Sequence, residues 1–151
     1  MFPFDSKIIK PSKLKSDAQE IVIMVGFPGS KKSTYAQDLS KQNDKYVIIS
    51  GDQLKTSKKM IATARPHLKS GKSVIFDATN PTKIKRAEYI DLAKELKVQA
   101  RCVYMSTSME ESLYLNNQRP KEKIVPKIVY NIYKKKFEMP DETEGFLLNI
   151  V

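Results

Sequence analysis

Residues 21–34, Ile-Val-Ile-Met-Val-Gly-Phe-Pro-Gly-Ser-Lys-Lys-Ser-Thr, constrain this chain more than any other stretch. They open as a short apolar run rich in β-branched residues, the signature of a strand buried on both faces. The run breaks at Gly26, Pro28 and Gly29 and resumes as a polar helix start. Strand, glycine-rich turn and helix N-terminus follow in the order of a phosphate-binding loop. The pattern G-x-x-x-x-G-K-[ST] is met at Gly26, Lys32 and Ser33; Lys31 stands where its second glycine belongs. The segment Gly26, Phe27, Pro28, Gly29, Ser30, Lys31, Lys32, Ser33 and Thr34 would present backbone N–H groups and a helix dipole to a phosphate chain. Lys32 would reach the β- and γ-phosphates, and the Ser33 hydroxyl would hold Mg²⁺. A lysine at position 31 adds a Cβ where glycine lets the backbone approach closely, but its charge suits a triphosphate. The alternative is a strand followed by an ordinary Gly-Pro turn and a basic helix.

The 151 residues suffice for one domain with a real core, and 29% charged against 40% apolar residues marks a globular chain. No apolar run reaches the length of a membrane span, and the first residues lack a secretory signal. A single cysteine, Cys102, rules out an intrachain disulfide and a cysteine metal cage. That usage suits an intracellular compartment, nuclear or cytoplasmic. A single histidine, His67, argues against a histidine zinc site and a Ser-His-Asp triad. The net charge of +10 favours a polyanionic partner, nucleic acid first, over a merely solvated lysine-rich surface.

Residues 1–17, with Pro3, Pro11 and several lysines, read as a tail or interdomain linker, and residues 18–151 as one domain. Strands are expected over 20–25, 46–50, 73–77, 98–105 and 145–151. Helices are expected over 31–42, from about 52 to 70, 82–97, 108–118 and 126–137. Tyr35, Ala36 and Leu39 would face inward on the first helix. Ile84, Ala87, Ile90 and Leu96 would do so on the third, and Ile128, Val129 and Ile132 on the last. Pro66 suggests a kink or break within the second. The β-α alternation predicts an α/β fold: a five-stranded parallel sheet with helices on both faces and a short lid.

Three further groups fall at strand carboxyl ends, the ligand-binding edge of such a sheet. Asp52 follows the second strand, either as a helix N-cap or as a reactive carboxylate. Asp77-Ala78-Thr79-Asn80-Pro81 follows the third. Arg119 lies in a charged break between two helices. Phosphoryl transfer needs these parts: a cradle and Mg²⁺ for the donor, a carboxylate for the acceptor proton, and a mobile cation.

From about residue 17 to 151 the chain resembles the 5′-hydroxyl kinase domain of the bifunctional polynucleotide kinase 3′-phosphatases, a family of P-loop kinases. The resemblance rests on Val25-Gly26-Phe27-Pro28-Gly29 with Lys32-Ser33-Thr34, and on Asp77-Ala78-Thr79-Asn80-Pro81 with Arg86 in the next helix. It rests further on Asn116-Asn117 at the start of the lid, and on Phe137-Glu138-Met139-Pro140 followed by Glu144-Gly145-Phe146. Phe4-Asp5 and the stretch to Leu14 are similar to the linker between that family's two domains, and no phosphatase signature is present. The chain is then a kinase domain of a longer protein or a stand-alone, virus-like version. The resemblance implies ATP and Mg²⁺ as cofactors and nucleic acid 5′-OH ends, DNA before RNA, as partners. A phosphatase is implied in the same chain or a separate protein. It implies Asp52 as general base, Lys32 and Arg119 as catalytic cations, and Asp77, Thr79, Asn80 and Arg86 around the acceptor. Gly51 stands where the family has an arginine, and Arg119 lies one place before the usual lid arginine, which Pro120 replaces. An impaired end-binding module and a small-molecule kinase are the competing readings.

Overall fold

A computed structural model describes residues 18–151. The expected tail or linker, residues 1–17, lies outside the described residues. Five strands, β1 (Glu20–Val25), β2 (Tyr46–Ser50), β3 (Ser73–Asp77), β4 (Gln99–Tyr104) and β5 (Leu147–Ile150), form one sheet in the order β2-β3-β1-β4-β5. Every pairing is parallel, with Ile21 opposite Val74 on one side and Ala100 on the other. The helices are α1 (Lys32–Gln42), α2 (Gly51–Leu54), α3 (Ser57–Lys69), α4 (Lys83–Leu96), α5 (Met109–Asn117) and α6 (Lys127–Lys136).

β1 is central, and all six of its residues are buried. Its alternate side chains feed two cores, as the two-residue period of a strand requires. Ile21, Ile23 and Val25 point to the face where α3 and α4 supply Met60, Ala64, Tyr89, Ile90 and Ala93. Val22 and Met24 point to the opposite face, where α1 lays Ala36, Tyr35 and Leu39. Helices thus cover both faces, as the sequence predicts. A continuous apolar strand is stable only between two such layers.

Glu20 is the polar exception in β1. Arg101 of β4 grips its carboxylate with Nε–Oε1 at 3.1 Å and Nη2–Oε2 at 2.6 Å, and the Tyr46 hydroxyl donates to the same group. This buried network closes the amino end of the sheet, opposite the strand ends that carry the loops discussed below.

Three expectations about helices are corrected. The helix expected from 52 to 70 is two helices: Lys55 turns left-handed (φ 72°), and the Thr56 side chain caps α3 by accepting from the Lys59 N–H. Pro66 lies inside α3 without ending it, and Gly71 closes the end with φ 93°. On α4 Ile90 and Leu96 pack on the core as expected, with Arg86, Tyr89, Leu92 and Ala93 beside them, but Ala87 is exposed and Ile84 is 82% exposed. On α6 the buried residues are Tyr130 and Tyr133, whereas Ile128, Val129 and Ile132 face out. Counting only aliphatic residues chose the wrong stripe, because aromatic rings fill the gap beneath α6.

Candidate active site

The loop between β1 and α1 is held from three sides. The Gly26 N–H donates to the Thr79 carbonyl at 3.2 Å, and the Asn80 side-chain amide donates to the Met24 carbonyl at 2.8 Å. Both bonds tie the loop to the segment after β3. From the other flank, Phe27 stacks on Tyr130 with ring centroids 5.8 Å apart and meets Tyr133 at 4.6 Å. The Tyr130 hydroxyl donates to the Pro28 carbonyl. Below, Gly29 sits at φ 76°, and a Cβ built there would stand 2.9 Å from the Ser112 carbonyl of α5. That approach requires glycine twice over, by dihedral and by space.

Lys31 is also left-handed, at φ 71°, ψ 24°, and is exposed. The glycine of the pattern is therefore displaced at a dihedral position. The lysine stem points out of the packed loop, so the cost is backbone strain of about 1 kcal/mol rather than a steric block.

Lys32 begins α1 and is buried. Its ammonium donates to the Phe27 carbonyl at 2.7 Å. Burial lowers its pKa from 10.5 to about 8. The negative charges of Asp77 and Asp52 work against that shift, and Arg119 adds to it. Asp77, Asp52 and Arg119 thus lie within electrostatic reach of the Lys32 ammonium. The Ser33 hydroxyl donates to Asp77 Oδ2 at 2.7 Å, joining the first turn of α1 to the end of β3. Thr34 lies exposed beside it.

Asp52 is the second residue of α2, whose N-cap is Ser50, so its carboxylate is not spent on capping. It is exposed and, among the described residues, makes no side-chain hydrogen bond. Gly51 before it packs so closely that a Cβ would come 2.9 Å from the Ala78 Cβ.

Two residues expected around the acceptor play other parts. Arg86 is fully buried. Its guanidinium grips Glu144 at 3.0 and 3.1 Å, the Asn80 carbonyl at 3.0 Å and the Glu138 carbonyl at 2.9 Å. Asn80, 1% exposed and left-handed at φ 43°, spends its amide on β1. The Glu138 N–H donates to the Pro81 carbonyl at 2.8 Å, and the Glu138 carboxylate caps the Lys83 N–H at 2.9 Å. The separated motifs at 77–81, 86 and 137–146 are thus one fastener that fixes the turn carrying Asp77 and Thr79. Thr79 contributes its backbone carbonyl.

Tyr130 and Tyr133 are the site residues that the sequence reading missed. Their signal was present as aromatic residues three apart on α6, the spacing of one helix face. The loop fits a phosphate chain on its own evidence: a glycine cradle that a Cβ would fill, a helix N-terminus, and a buried Ser30 hydroxyl without a partner.

The AAA domain family matches residues 21–140 of this chain. The bifunctional polynucleotide phosphatase/kinase of Schizosaccharomyces pombe is 41% identical over 135 residues, which are 87% of this chain and 33% of that protein. A putative bifunctional polynucleotide phosphatase/kinase of Acanthamoeba polyphaga mimivirus is 39% identical over 140 residues, 89% of this chain and 33% of that protein. The chain therefore spans about a third of the length of these curated relatives. Among solved structures, Chaetomium thermophilum Kti12 in complex with ADP-AlF3 superposes with a TM-score of 0.67 at 18% identity, over 87% of this chain and 88% of that one. A fungal RNA kinase gives 0.67 at 14% identity, over 88% of this chain and 37% of that one. At these identities the likeness shows a shared fold. With the match covering most of the chain and the loop built as described, the chain belongs to the AAA domain family.

Proposed function

We propose that this chain is an ATP-dependent 5′-hydroxyl polynucleotide kinase acting in nucleic acid end repair. The observation that carries the reading is the built loop: the buried Lys32 ammonium bonds the Phe27 carbonyl at 2.7 Å, and the Ser33 hydroxyl beside it donates to Asp77 at 2.7 Å. The loop holds the β- and γ-phosphates of ATP, with Lys32 against them. Ser33 and Asp77 are the residues that would hold Mg²⁺. When bound, the ion draws charge from the phosphate oxygens.

The exposed Asp52 carboxylate accepts the proton of the attacking 5′-hydroxyl. The hydroxyl oxygen forms the new bond to the γ-phosphorus while the bond to the β-phosphate oxygen breaks, and ADP leaves. Arg119, on the lid, spreads the charge of the transferring group. The basic surface brings the strand to the cleft, with DNA ends favoured over RNA ends. The relatives' names pair the kinase with a phosphatase, so a phosphatase is the expected companion, in a longer chain or a separate protein.

The test is transfer of labelled γ-phosphate from ATP to a 5′-hydroxyl oligonucleotide. Wild type should transfer; Lys32→Ala should not; Asp52→Ala should bind ATP and lose transfer by about 100-fold or more. A wild-type chain that binds oligonucleotide but transfers nothing would leave an end-binding module instead. Oligonucleotide affinity that does not fall as salt rises would point to a small-molecule acceptor.

A further inference from the structure

The lid is short and its base is built on one side chain. Asn116, the eighth residue of α5, is 2% exposed. Its amide nitrogen donates to the Val125 carbonyl at 2.8 Å, and its amide oxygen accepts the Val125 N–H at 3.0 Å. This two-way bond closes the chain between 116 and 125 into a loop. The same residue's carbonyl accepts the Arg119 N–H at 3.1 Å. Its backbone nitrogen lies against the phosphate loop, 3.3 Å from where a Cβ on Gly29 would stand. One residue therefore touches both ends of the lid and the floor of the loop.

The segment it closes carries Arg119, and within it the Lys123 N–H donates to the Pro120 carbonyl at 2.8 Å. Pro120 and Pro126 limit the backbone freedom on either side. A free loop of this length would spread the Arg119 guanidinium over many positions, and ordering it costs entropy at each closure. The Asn116 bonds remove much of that freedom in advance, and the burial of Asn116 shields them in part from water.

We propose that Asn116 is a positioning residue for phosphoryl transfer: it staples the lid so that Arg119 is held over the phosphate loop. This rests on the kinase reading above. It predicts a particular division of effects. Nucleotide binding uses the loop and Lys32, which Asn116→Ala leaves in place. The chemical step uses Arg119, which Asn116→Ala releases.

The experiment combines steady-state kinetics on ATP and a 5′-hydroxyl oligonucleotide, ADP affinity by calorimetry, and amide hydrogen exchange across residues 118–125. In Asn116→Ala, kcat should fall by about 10- to 100-fold, the size of effect that follows a misplaced catalytic group. The ADP dissociation constant should stay within about threefold, less than the tenfold that 1.4 kcal/mol represents. Exchange over 118–125 should rise. In an Arg119→Ala background the same substitution should cost nothing more, because the arginine it positions is gone. Asn116→Asp keeps an oxygen for the Val125 N–H but not the donor, so its loss should be smaller; it also carries the test if Asn116→Ala does not fold. An unchanged kcat, a full additional loss in the Arg119→Ala background, or unaltered exchange over 118–125 would each overturn the proposal. Failure of the kinase reading looks different: the wild-type chain binds ADP but transfers nothing. The exchange comparison then decides alone, raised exchange supporting the staple and unaltered exchange overturning it.

Discussion

Lys32 is the residue whose environment does most to set behaviour. Its ammonium is buried, and its pKa falls to about 8 in the unliganded fold from 10.5 in the open chain. Between those two values the unfolded chain holds the extra proton. Stability therefore rises with pH across that window, and the burial penalty is present in full below it. A bound phosphate reverses the preference, since it favours the charged form. ADP binding near pH 8.5 should thus take up a proton. Calorimetry in buffers of different ionisation enthalpy measures this, and a binding heat independent of buffer would refute it. Gly51 illustrates the other kind of residue effect. Its missing side chain lets α2 press against Ala78. Gly51→Ala should cost about 1–3 kcal/mol, the usual range for overpacking, and Ala78→Gly in the same chain should restore most of it. Thermal unfolding of the two single variants and the double variant reads the coupling directly.

At the scale of elements, α6 is a brace for the phosphate loop. Its buried face is aromatic, and the Tyr130 hydroxyl reaches the Pro28 carbonyl across 102 positions of sequence. Tyr130→Phe keeps the ring against Phe27 and removes that bond together with the hydroxyl's longer contact to the Ser112 carbonyl at 3.3 Å. It should lower stability by about 1–2 kcal/mol, because the Pro28 carbonyl loses its donor in a buried place. ADP affinity should weaken with it, and a variant with wild-type melting temperature and affinity would show that α6 does not hold the loop. The outward residues of the same helix, Ile128 and Ile132, lie at 65% and 47% exposure. Substitution there should be close to neutral by comparison.

At the scale of the whole molecule, the two ends of the sheet divide the work. The amino end holds Glu20, Arg101 and Tyr46 in a buried network, and the carboxyl end holds the loops. β1 separates them by roughly 17 Å, five steps of strand rise. Glu20→Ala leaves the Arg101 guanidinium buried without its carboxylate, which should cost about 3–5 kcal/mol. The folded fraction should still bind ADP with wild-type affinity, since nothing in the network touches the phosphate loop. Chemical denaturation together with an ADP titration tests both halves, and an affinity that falls with stability would mean that the two ends are coupled.

The strands, the parallel order of β and α, and the loop with Lys32 and Ser33 were legible from local pattern. Those features are local: a buried strand reads as an apolar run, and a phosphate loop is a contiguous pattern whose residues act through their own backbone. Local pattern also put Asp52 and Asp77 at the carboxyl ends of strands, which alternation gathers on one edge of a parallel sheet. What depends on distant partners emerged with the packed fold. It turned Arg86 and Asn80 from expected acceptor contacts into the core of a fastener with Glu138 and Glu144. It chose Tyr130 and Tyr133 over the isoleucines of α6, and it ended a helix at Lys55 that periodicity would have carried through. In each case the deciding quantity is the shape or the unpaired polar group presented by a segment far along the chain. No window of neighbouring residues contains that information.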